Sequence, residues 1–427
     1  MTFRTGLLVA MIFLLALAGL AGRQGAVLAL ALPLLVYLGV GAWFRPEQPR
    51  LTSTRELARS KVAPDIPIES RIPIANQGAF IDELEIIDDL PMGLSLQEGD
   101  SRRLVSLAPG EEIELTHSSL GRRGEYTFGD LRARALDTFG LFEISTVLPA
   151  VAHLAVLPAA LRLRPVTIRP LQTRGFAGPI PSRQDGAGVE FFLVREYQPG
   201  DPMRQINWKV SARHEREIFT TTYEQQRIAD VGIILDARQQ IDIRRGEERL
   251  FEYSVRAAGG LAELFLNDGN RVGLLVYGAA IISAFPGMGK LQRERIYRVL
   301  ARAETGFSYA LEKLDYLPTR FFPPRSQVIL VSPLVNADVP VLGFLRQQGY
   351  SVLVISPNGP LFESGGANAT SAEHLALRTA LAERKMMINS LRRQGVQVVD
   401  WDVSTQLEPL VRATAAAAIH RTAGMVR

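Results

Sequence analysis

The sequence predicts a membrane-anchored protein of several domains, in which a two-helix hairpin is followed by an antiparallel β-sandwich and then by a doubly wound α/β domain. Three observations predict this order. Two uncharged apolar runs open the chain, short alternating strands follow, and the second half alternates Val-, Ile- and Leu-rich strands with amphipathic helices. At 427 residues the chain also exceeds what one hydrophobic core usually holds.

Residues 1–45 are predicted to form a transmembrane helical hairpin. The stretches 6–22 and 25–44 contain no charged residue and are separated only by Arg23 and Gln24. Each is long enough to cross ~30 Å of hydrocarbon as a helix, and so short a linker makes the two helices antiparallel. A cleaved signal peptide is the alternative for the first run, although the second run would still anchor the chain.

The basic residues around this hairpin predict its orientation. Five of them follow the second span: Arg45, Arg50, Arg55, Arg59 and Lys61. Arg4 precedes the first span, whereas the tip offers Arg23 alone. Since positively charged flanks stay on the cytoplasmic side, both ends of the hairpin and the domains after it are expected in the cytoplasm.

Residues 46–160 are predicted to form an immunoglobulin-like β-sandwich. Segments such as IPIESRIPIANQG and FIDELEIIDDLP place apolar residues at nearly alternate positions, with turn residues between the segments. Two pairs of acids, Asp88-Asp89 and Glu111-Glu112, fall beside these turns. We expect them to be solvated loop acids rather than a catalytic pair.

Residues 161–230 are predicted to be a linker with a distinctive motif at its end, and residues 231–427 a doubly wound α/β domain. The stretch 171–188 contains Pro and Gly without periodicity, which is typical of a loop. After it, buried-type strands are predicted at 231–236, 271–278, 327–334, 350–357 and 396–401. Helices are predicted between and after them at 247–266, 290–303, 339–348, 372–393 and 406–420.

The sequence excludes several catalytic chemistries and contains no motif for several others. The absence of Cys excludes thiolate catalysis and cysteine-based metal sites. No His-Glu-x-x-His or Gly-x-Ser-x-Gly motif is present. FPGMGKL departs from a phosphate loop, because Ala284 stands where the first Gly is needed and Leu291 where Ser or Thr is needed. We therefore expect neither an enzyme nor a cofactor.

The end of the first α/β strand is the place where a metal would be expected. In the von Willebrand factor A type of this fold, an Asp-x-Ser-x-Ser sequence there binds a divalent cation through several oxygen ligands. Here the corresponding residues are Asp236, Arg238 and Gln240. A guanidinium at Arg238 would lie close to the ion and could pair with Asp236 in its place. The sequence predicts a degenerate corner without a metal.

The stretch EFFLVREYQPGDPMRQINWKVSARH, residues 190–214, contains a tight corner at Pro199 to Pro202. Gly200 supplies the conformational freedom that such a corner requires. We expect a cluster across the corner, with Tyr197 and Trp208 packed beneath it: Arg195, Glu196, Asp201 and Arg204. Its basic residues are balanced by acids on the same segment, which argues against a nucleic-acid surface. The predicted role is a rigid joint that locks the sandwich to the α/β domain and presents part of a partner surface.

One competing hypothesis remains for this stretch. Several arginines beside an aromatic ring can hold a phosphate or a carboxylate. The residues that would form such an enzymatic or small-anion site are Arg195, Asp201, Arg204, Trp208 and Arg213.

VREYQPGDPMRQINWKVSARHEREIFT followed by the VGIILD strand closely resembles the signature of the bacterial family called domain of unknown function 58. The apolar hairpin, RRGEY and DTFGLF in the sandwich and the degenerate corner agree with that resemblance. Asn207 departs from it, since Asp is usual there. The signature positions matched are Arg195, Tyr197, Gly200, Asp201, Arg204, Asn207, Trp208 and Arg213.

The resemblance implies a protein of the bacterial cytoplasmic membrane that is often encoded with a MoxR-type AAA+ ATPase. It also implies a von Willebrand factor A-like identity for the α/β domain. We therefore expect a non-enzymatic adaptor or scaffold that binds partner proteins in cell-envelope or stress-related assembly, with such an ATPase as the first candidate partner.

Overall fold

The computed structural model describes residues 3–164, 180–214, 217–314, 317, 321–324, 326–364 and 371–414. The chain divides into two compact units, Met1–Leu157 and Pro158–Arg427. Each unit has its own hydrophobic core. The first unit contains two apolar helices and a β-sandwich-like domain, and the second contains a β-ribbon and a mixed α/β sheet.

The two N-terminal helices are α1 (Phe3–Ala21) and α2 (Gly25–Trp43). Each has 19 residues and a mean hydropathy of 2.1, so that each is long and apolar enough to cross a membrane. Most of their large apolar side chains are exposed, unlike those of a helix in the core of a soluble protein. The predicted apolar helical hairpin is therefore present.

The sandwich-like domain contains twelve short strands. They are β1 (Leu51–Ser53), β2 (Glu56–Leu57), β3 (Lys61–Val62), β4 (Ile68–Asn76), β5 (Ile81–Ile87), β6 (Leu94–Gly99), β7 (Arg102–Leu107), β8 (Glu112–Gly121), β9 (Gly124–Phe128), β10 (Leu131–Leu136), β11 (Glu143–Leu148) and β12 (Ala152–Val156). They form three sheets, ordered β1-β4-β8-β6 with β2 beside β4, β11-β10-β5-β7, and β3-β12-β9. Inward residues of the two larger sheets, such as Ile72, Ile74, Leu84, Ile86 and Leu131, share one core.

The expectation that Asp88 is a solvated loop acid is wrong. Its side chain is buried, and both carboxylate oxygens accept hydrogen bonds of 2.7 Å from the buried guanidinium of Arg55. His117 Nε2 lies 2.7 Å from Oδ2 of the same carboxylate. Burial raises the pKa of Asp88, but hydrogen bonds from His117 and Arg55 outweigh burial and leave this pKa below its ordinary value. Asp89, by contrast, is exposed.

The predicted loop at 171–188 is wrong for its second part. Residues 180–188 belong to strand β13 (Ile180–Glu196), which pairs antiparallel with β14 (Phe219–Arg227), and residues 171–179 lie outside the described part of the chain. The two strands form a ribbon separate from the α/β sheet. Pairing supplies the backbone hydrogen bonds of this Gly-containing segment, and no periodicity in the sequence indicates it. Residues 197–218, which connect the two strands, are called the signature head below.

The α/β domain has a six-stranded sheet in which the five predicted strands are present and a sixth is added. The strands are β15 (Asp230–Ala237), β18 (Arg271–Gly278), β19 (Ile281–Gly287), β20 (Gln327–Val331), β21 (Ser351–Pro357) and β22 (Gln397–Trp401). A small hairpin, β16 (Arg244–Arg245) and β17 (Glu248–Arg249), precedes the first long helix. The sheet order is β19-β18-β15-β20-β21-β22, and only β19 is antiparallel to its neighbour.

Helices cover the sheet at the predicted places. They are α4 (Leu250–Asn267), α5 (Gly289–Arg302), α6 (Asp338–Gln347), α7 (Gly359–Glu363) and α8 (Ser371–Arg393), after a short α3 (Trp208–Ser211) in the signature head. Among them, the short helix α7 is one that the sequence did not predict. Residues 407–414 are also helical, and the remainder of the predicted last helix lies outside the described residues. Because the sheet is buried on both sides, β15 has no exposed residue. The missed strand β19 lies at the sheet edge, and its side chains are mostly half-buried.

Candidate functional site

A ligand of this sheet would be expected at the carboxyl ends of β15 and β20. Numbered by chain order, the six strands run 3-2-1-4-5-6, so the direction of winding reverses between β15 and β20. In doubly wound sheets ligands bind at such a reversal, beyond the carboxyl ends of the strands. Asp236 lies at the end of β15 and Ser332 directly after β20.

The guanidinium of Arg238 fills this position. It donates to Asp236 from Nε at 2.9 Å and from Nη2 at 2.7 Å. It also donates to Asp338 from Nη1 at 3.0 Å and from Nη2 at 2.9 Å. All three side chains are buried. The predicted pairing of Arg238 with Asp236 is therefore present, and we call Asp236, Arg238, Ser332 and Asp338 the closed corner.

Sequence reasoning missed Asp338, which lies six residues beyond Ser332 and outside the loop that directly follows β20. Asp338 is the first residue of α6, where a carboxylate can accept a backbone N–H, and it accepts one from Val335 at 3.0 Å. An acid in the first turn of the helix after β20 is the sequence feature that could have identified it. Gln240 lies at the rim, where its amide donates to the carbonyl of Glu312 at 2.9 Å.

Every carboxylate oxygen of the closed corner has a donor. Ser332 donates to Asp236 Oδ2 at 2.7 Å, and the remaining oxygens accept from Arg238 and from backbone amides. Burial raises the pKa of Asp338, and its hydrogen bonds with Arg238 only partly oppose this. The pKa of Asp338 rises because Asp338 and Asp236, both buried, share the single positive charge of Arg238. No group of three or more His, Asp or Glu side chains in the described ranges could hold a metal ion.

A second arginine joins the carboxyl ends of the remaining parallel strands. Arg384 of α8 donates to the carbonyl of Pro333 at 2.8 Å, to that of Ser356 at 3.0 Å and to Asp400 at 2.9 Å. These acceptors lie at the ends of β20, β21 and β22. Arg238 and Arg384 thus bridge the carboxyl ends of the parallel strands, and both donate their hydrogen bonds to acceptors of the protein itself.

A shallow depression of about 220 Å³ lies beside the closed corner. Its lining includes Gln240, Phe307, Ser308 and Glu312. Phe307 packs edge-on against Tyr309, with ring centroids 4.6 Å apart. The depression is mostly open and has no paired acid and base, so its chemistry is that of a surface contact.

The signature head is built on the end of the ribbon. The backbone N–H of Tyr197 donates to Ile218 at 2.7 Å, and that of Asn207 donates to Phe219 at 2.8 Å. Gly200 has a φ of +111°, a value that residues with a Cβ rarely adopt, and the predicted corner is therefore present. Tyr197 is half-buried beside it.

The ion pair of the corner joins Arg195 to Asp201. Two parallel hydrogen bonds of 2.8 Å connect the guanidinium and the carboxylate, which are 30% and 15% exposed. The hydrogen bonds from Arg195, and then that from the Gln198 backbone, lower the pKa of Asp201. Arg204 and Arg213 are exposed and have no ion pair with a described residue. The expected closure of Arg204 onto Asp201 is therefore wrong.

The expectation that Trp208 packs beneath the corner is also wrong, since its side chain is 67% exposed. Trp208 is the first residue of α3, and Asn207 before it is the N-cap. Asn207 Oδ1 accepts from the Val210 backbone at 3.1 Å, while Nδ2 donates to Thr221 Oγ1 at 3.0 Å. The cap turns the short helix so that Trp208 and Lys209 face solvent. Here Asn207 uses its amide as both donor and acceptor.

We predict that Asp201→Asn loosens the signature head without unfolding the α/β domain. The amide cannot match both donors of Arg195, and the pair is too exposed to contribute much to global stability. Trypsin cleavage after Arg204 should become several-fold faster, whereas the denaturant midpoint of the domain stays unchanged. Arg204→Gln in the same background is the control, because it removes the monitored bond. Equal cleavage rates for the unsubstituted and the Asp201→Asn proteins would show that the pair does not order the head.

Comparisons with known proteins agree with the signature. Residues 193–356 match the family model described as protein of unknown function DUF58. The uncharacterized protein YeaD of Bacillus subtilis (strain 168) is 27% identical over 257 residues, which cover 58% of this chain and 60% of that protein. The uncharacterized protein Rv1480 of Mycobacterium tuberculosis (strain ATCC 25618 / H37Rv) is 28% identical over 150 residues, 34% of this chain and 46% of that protein. The chain thus matches less than two thirds of the length of either relative.

Similar solved structures include β domains of other proteins. The CARDB domain of PF1109 from Pyrococcus furiosus, in complex with di-metal ions, is 17% identical, with a TM-score of 0.18 over 26% of this chain and 92% of that chain. A non-cellulosomal cohesin from Archaeoglobus fulgidus is 12% identical, with a TM-score of 0.18 over 25% of this chain and 91% of that chain. Such TM-scores support no inference about function. Residues 193–356, which include the signature head and the closed corner, match the DUF58 family model, so this part of the chain is a DUF58 region.

Proposed function

We propose that this protein is a membrane-anchored, non-enzymatic adaptor whose signature head binds a partner protein. One observation supports this above all others: Trp208 is 67% exposed at the end of a two-stranded ribbon. Large aromatic side chains dominate the binding energy of protein interfaces, and an exposed Trp beside a tight turn is the kind of side chain that such interfaces use.

The charges around Trp208 support a protein partner with acidic residues. Arg204, Lys209 and Arg213 are exposed on the same head, whereas Asp201 is already neutralised by Arg195 and the exposed Glu217 lies 4.0 Å from His214. Rim charges of one sign speed the encounter with a partner of the opposite sign. The competing small-anion site is less well supported, because Arg195 is committed to Asp201 and the other arginines do not converge with it.

The closed corner supports the non-enzymatic part of the proposal. The position where a doubly wound sheet holds a ligand is filled by Arg238. The strand order and the place of Asp236 and Ser332 are consistent with a degenerate von Willebrand factor A-like domain. We propose such an identity for the α/β domain, with binding in place of metal chemistry.

The apolar helices support anchoring in the bacterial cytoplasmic membrane, with the α/β domain facing the cytoplasm. The basic residues that follow α2 favour that orientation during insertion, even though Arg55 is later neutralised by Asp88 in the folded sandwich. On this side of the membrane a MoxR-type AAA+ ATPase can reach the signature head. We therefore propose such an ATPase as the first partner to test.

The test measures binding of the purified MoxR-type ATPase of the same organism to the full chain in detergent. Trp208→Ala should weaken binding at least about tenfold, which corresponds to about 1.4 kcal/mol. Lys209→Ala should weaken it less and reduce its salt dependence. Tyr309→Ala is the matched control, because Tyr309 is an exposed aromatic outside the signature head and should leave affinity unchanged.

Two results would contradict the proposal in different ways. Loss of binding in Tyr309→Ala but not in Trp208→Ala would move the binding surface to the depression beside the closed corner. No binding by the unsubstituted chain would reject this ATPase as the partner. Because Trp208 is exposed, Trp208→Ala should keep the near-ultraviolet signal of the buried Trp401, which checks that the variant is folded.

A further inference from the structure

An apolar loop of the sandwich lies against both N-terminal helices. The loop joins β10 to β11 and contains Phe139, Gly140, Leu141 and Phe142. Leu141 and Phe142 are buried in a small cluster with Leu8 of α1. The backbone N–H of Phe142 donates to the buried carboxylate of Asp137 at 2.7 Å, which fixes the shape of the loop. Apolar residues at the tip of a loop are unusual where solvent is the only neighbour.

Close contacts join the loop to each helix. The Thr5 hydroxyl of α1 donates to the carbonyl of Leu141. A Cβ at Gly41 of α2 would lie 2.6 Å from Leu141 Cδ1, so the glycine lets Leu141 approach the helix closely. The ring of Phe139 packs edge-on against Tyr37 at 5.6 Å. The loop is therefore held by α1 and α2 together.

The helix positions contacted by the loop give its depth. Each helix of 19 residues is about 28 Å long, close to the ~30 Å thickness of the hydrocarbon layer. Hence little of either helix would remain outside a membrane that it spans. Thr5 and Gly41 lie two residues, about 3 Å, inside the helix ends, and Tyr37 lies six residues, about 9 Å, inside. Amphipathic helices at membrane surfaces reach a similar depth of about 5–10 Å.

The surroundings of the loop match a lipid headgroup layer. Arg4 and Arg45 are exposed at the same ends of the helices, and Arg50 is exposed directly before β1, with Glu47 as the one acid between the last two. Phe80 is 59% exposed and lies two residues before Asp82, which accepts a 3.0 Å hydrogen bond from Thr138 of the loop. Aromatic rings and cations together are typical of side chains at a membrane interface.

We propose that the loop 138–142, with Phe80 beside it, inserts into the headgroup region of an anionic phospholipid bilayer and holds the sandwich against the membrane surface. This inference rests on the membrane anchoring proposed above. The sandwich is then held at the bilayer surface and does not act as a spacer on a flexible linker. The DTFGLF segment is then a third membrane-contacting element after α1 and α2.

The absence of Cys from the chain allows a direct test. Single cysteines replace Phe139, Phe80, Phe13 or Met92 in the full chain, and each is labelled with a polarity-sensitive fluorophore. The labelled proteins are reconstituted into vesicles of equimolar phosphatidylcholine and phosphatidylglycerol, with or without lipids that bear a shallow nitroxide quencher. Phe13 lies in the middle of α1 and reports whether the hairpin inserts. Met92 is 98% exposed beyond the opposite end of β5 and is the solvent control.

We expect the labels at Phe139 and Phe80 to shift to the blue in vesicles and to be quenched several-fold more than the label at Met92. Insertion of the Phe13 label with no response at Phe139 and Phe80 would overturn the loop inference and leave the anchoring intact. No response at Phe13 would overturn both. The label at Phe80 is the check for a local disturbance at Phe139, because Phe80 is 59% exposed and lies outside the loop 138–142.

Discussion

We expect Arg238→Ala to lower the free energy of unfolding of the α/β domain by about 3–5 kcal/mol. The substitution leaves Asp236 and Asp338 buried without the cation that they share. Neither can reach solvent, so the cost is that of an uncompensated buried charge. Arg238→Met should lose a similar amount, because methionine replaces most of the apolar stem but not the charge.

The measurement uses the fluorescence of Trp401 during urea unfolding of the full chain in detergent. Trp401 is buried in the α/β core, and its indole N–H donates to the carbonyl of Thr405 at 3.0 Å. Trp43→Phe and Trp208→Phe remove the two exposed indoles, so that the signal reports this domain alone. A domain-specific probe is needed because a chain of two units need not unfold in one step.

The matched control is Arg298→Ala on α5. Arg298 pairs with Glu294 at 2.8 Å on an exposed helix surface, and its loss should cost about 0–1 kcal/mol. A second comparison removes all three charges together with Arg238→Met, Asp236→Asn and Asp338→Asn, and should recover part of the stability. A loss below about 1 kcal/mol for Arg238→Ala would mean that water reaches the closed corner and that the site is open to ligands.

The second large effect is expected in the sandwich. Asp88→Asn should cost about 3–5 kcal/mol, because the guanidinium of Arg55 is then buried without its carboxylate. The other contacts of Arg55 are with neutral groups and do not replace a negative charge: the carbonyl of Ala150 at 2.8 Å, Ser70 Oγ and the carbonyl of Gly129 at 3.4 Å, and the ring of Phe128. Hydrogen exchange of the β10 amides measures this opening free energy within the full chain.

The pH dependence of the same amides provides an independent test. The pKa of Asp88 is lower in the folded state than its ordinary value of 3.8. Its contribution to stability is therefore complete well above 3.8 and is lost as the pH falls through the folded pKa. As the pH falls from 3.8 to the folded pKa, the unsubstituted sandwich should lose protection more steeply than the Asp88→Asn protein. Parallel slopes in the two proteins would contradict the ionised state assigned to Asp88.

Asp89→Asn is the matched control for both measurements. Asp89 follows Asp88 in the chain, and the two side chains of its ion pair with Arg132 are 60% and 51% exposed. The expected change is about 0–1 kcal/mol. A larger loss for Asp89→Asn than for Asp88→Asn would show that the loop conformation, rather than the buried charge, stabilises this region.

The sequence predicted the types and order of the elements because the relevant patterns are local. Two apolar runs, alternating strands and buried-type strands each depend on residues within a few positions of one another. The corner at Gly200 was predictable for the same reason, since a turn is set by its own four residues. The exceptions follow from the same rule. β13 and the edge strand β19 are strands because they pair with other segments, and their own sequences show no clear periodicity.

By itself, then, the sequence determined the apolar hairpin, the sandwich-like region, the α/β domain and the signature, together with the pairing of Arg238 with the neighbouring Asp236. Only the tertiary structure decided which charged groups are buried and which aromatic rings are exposed. Asp88 meets Arg55 across 33 residues, Arg238 meets Asp338 across 100, and Trp208 faces solvent because the cap at Asn207 orients its helix. A charged side chain can be buried only when a partner of opposite charge lies beside it, and in these pairs the partner comes from far along the chain. The residues next to each charged group therefore do not indicate its partner.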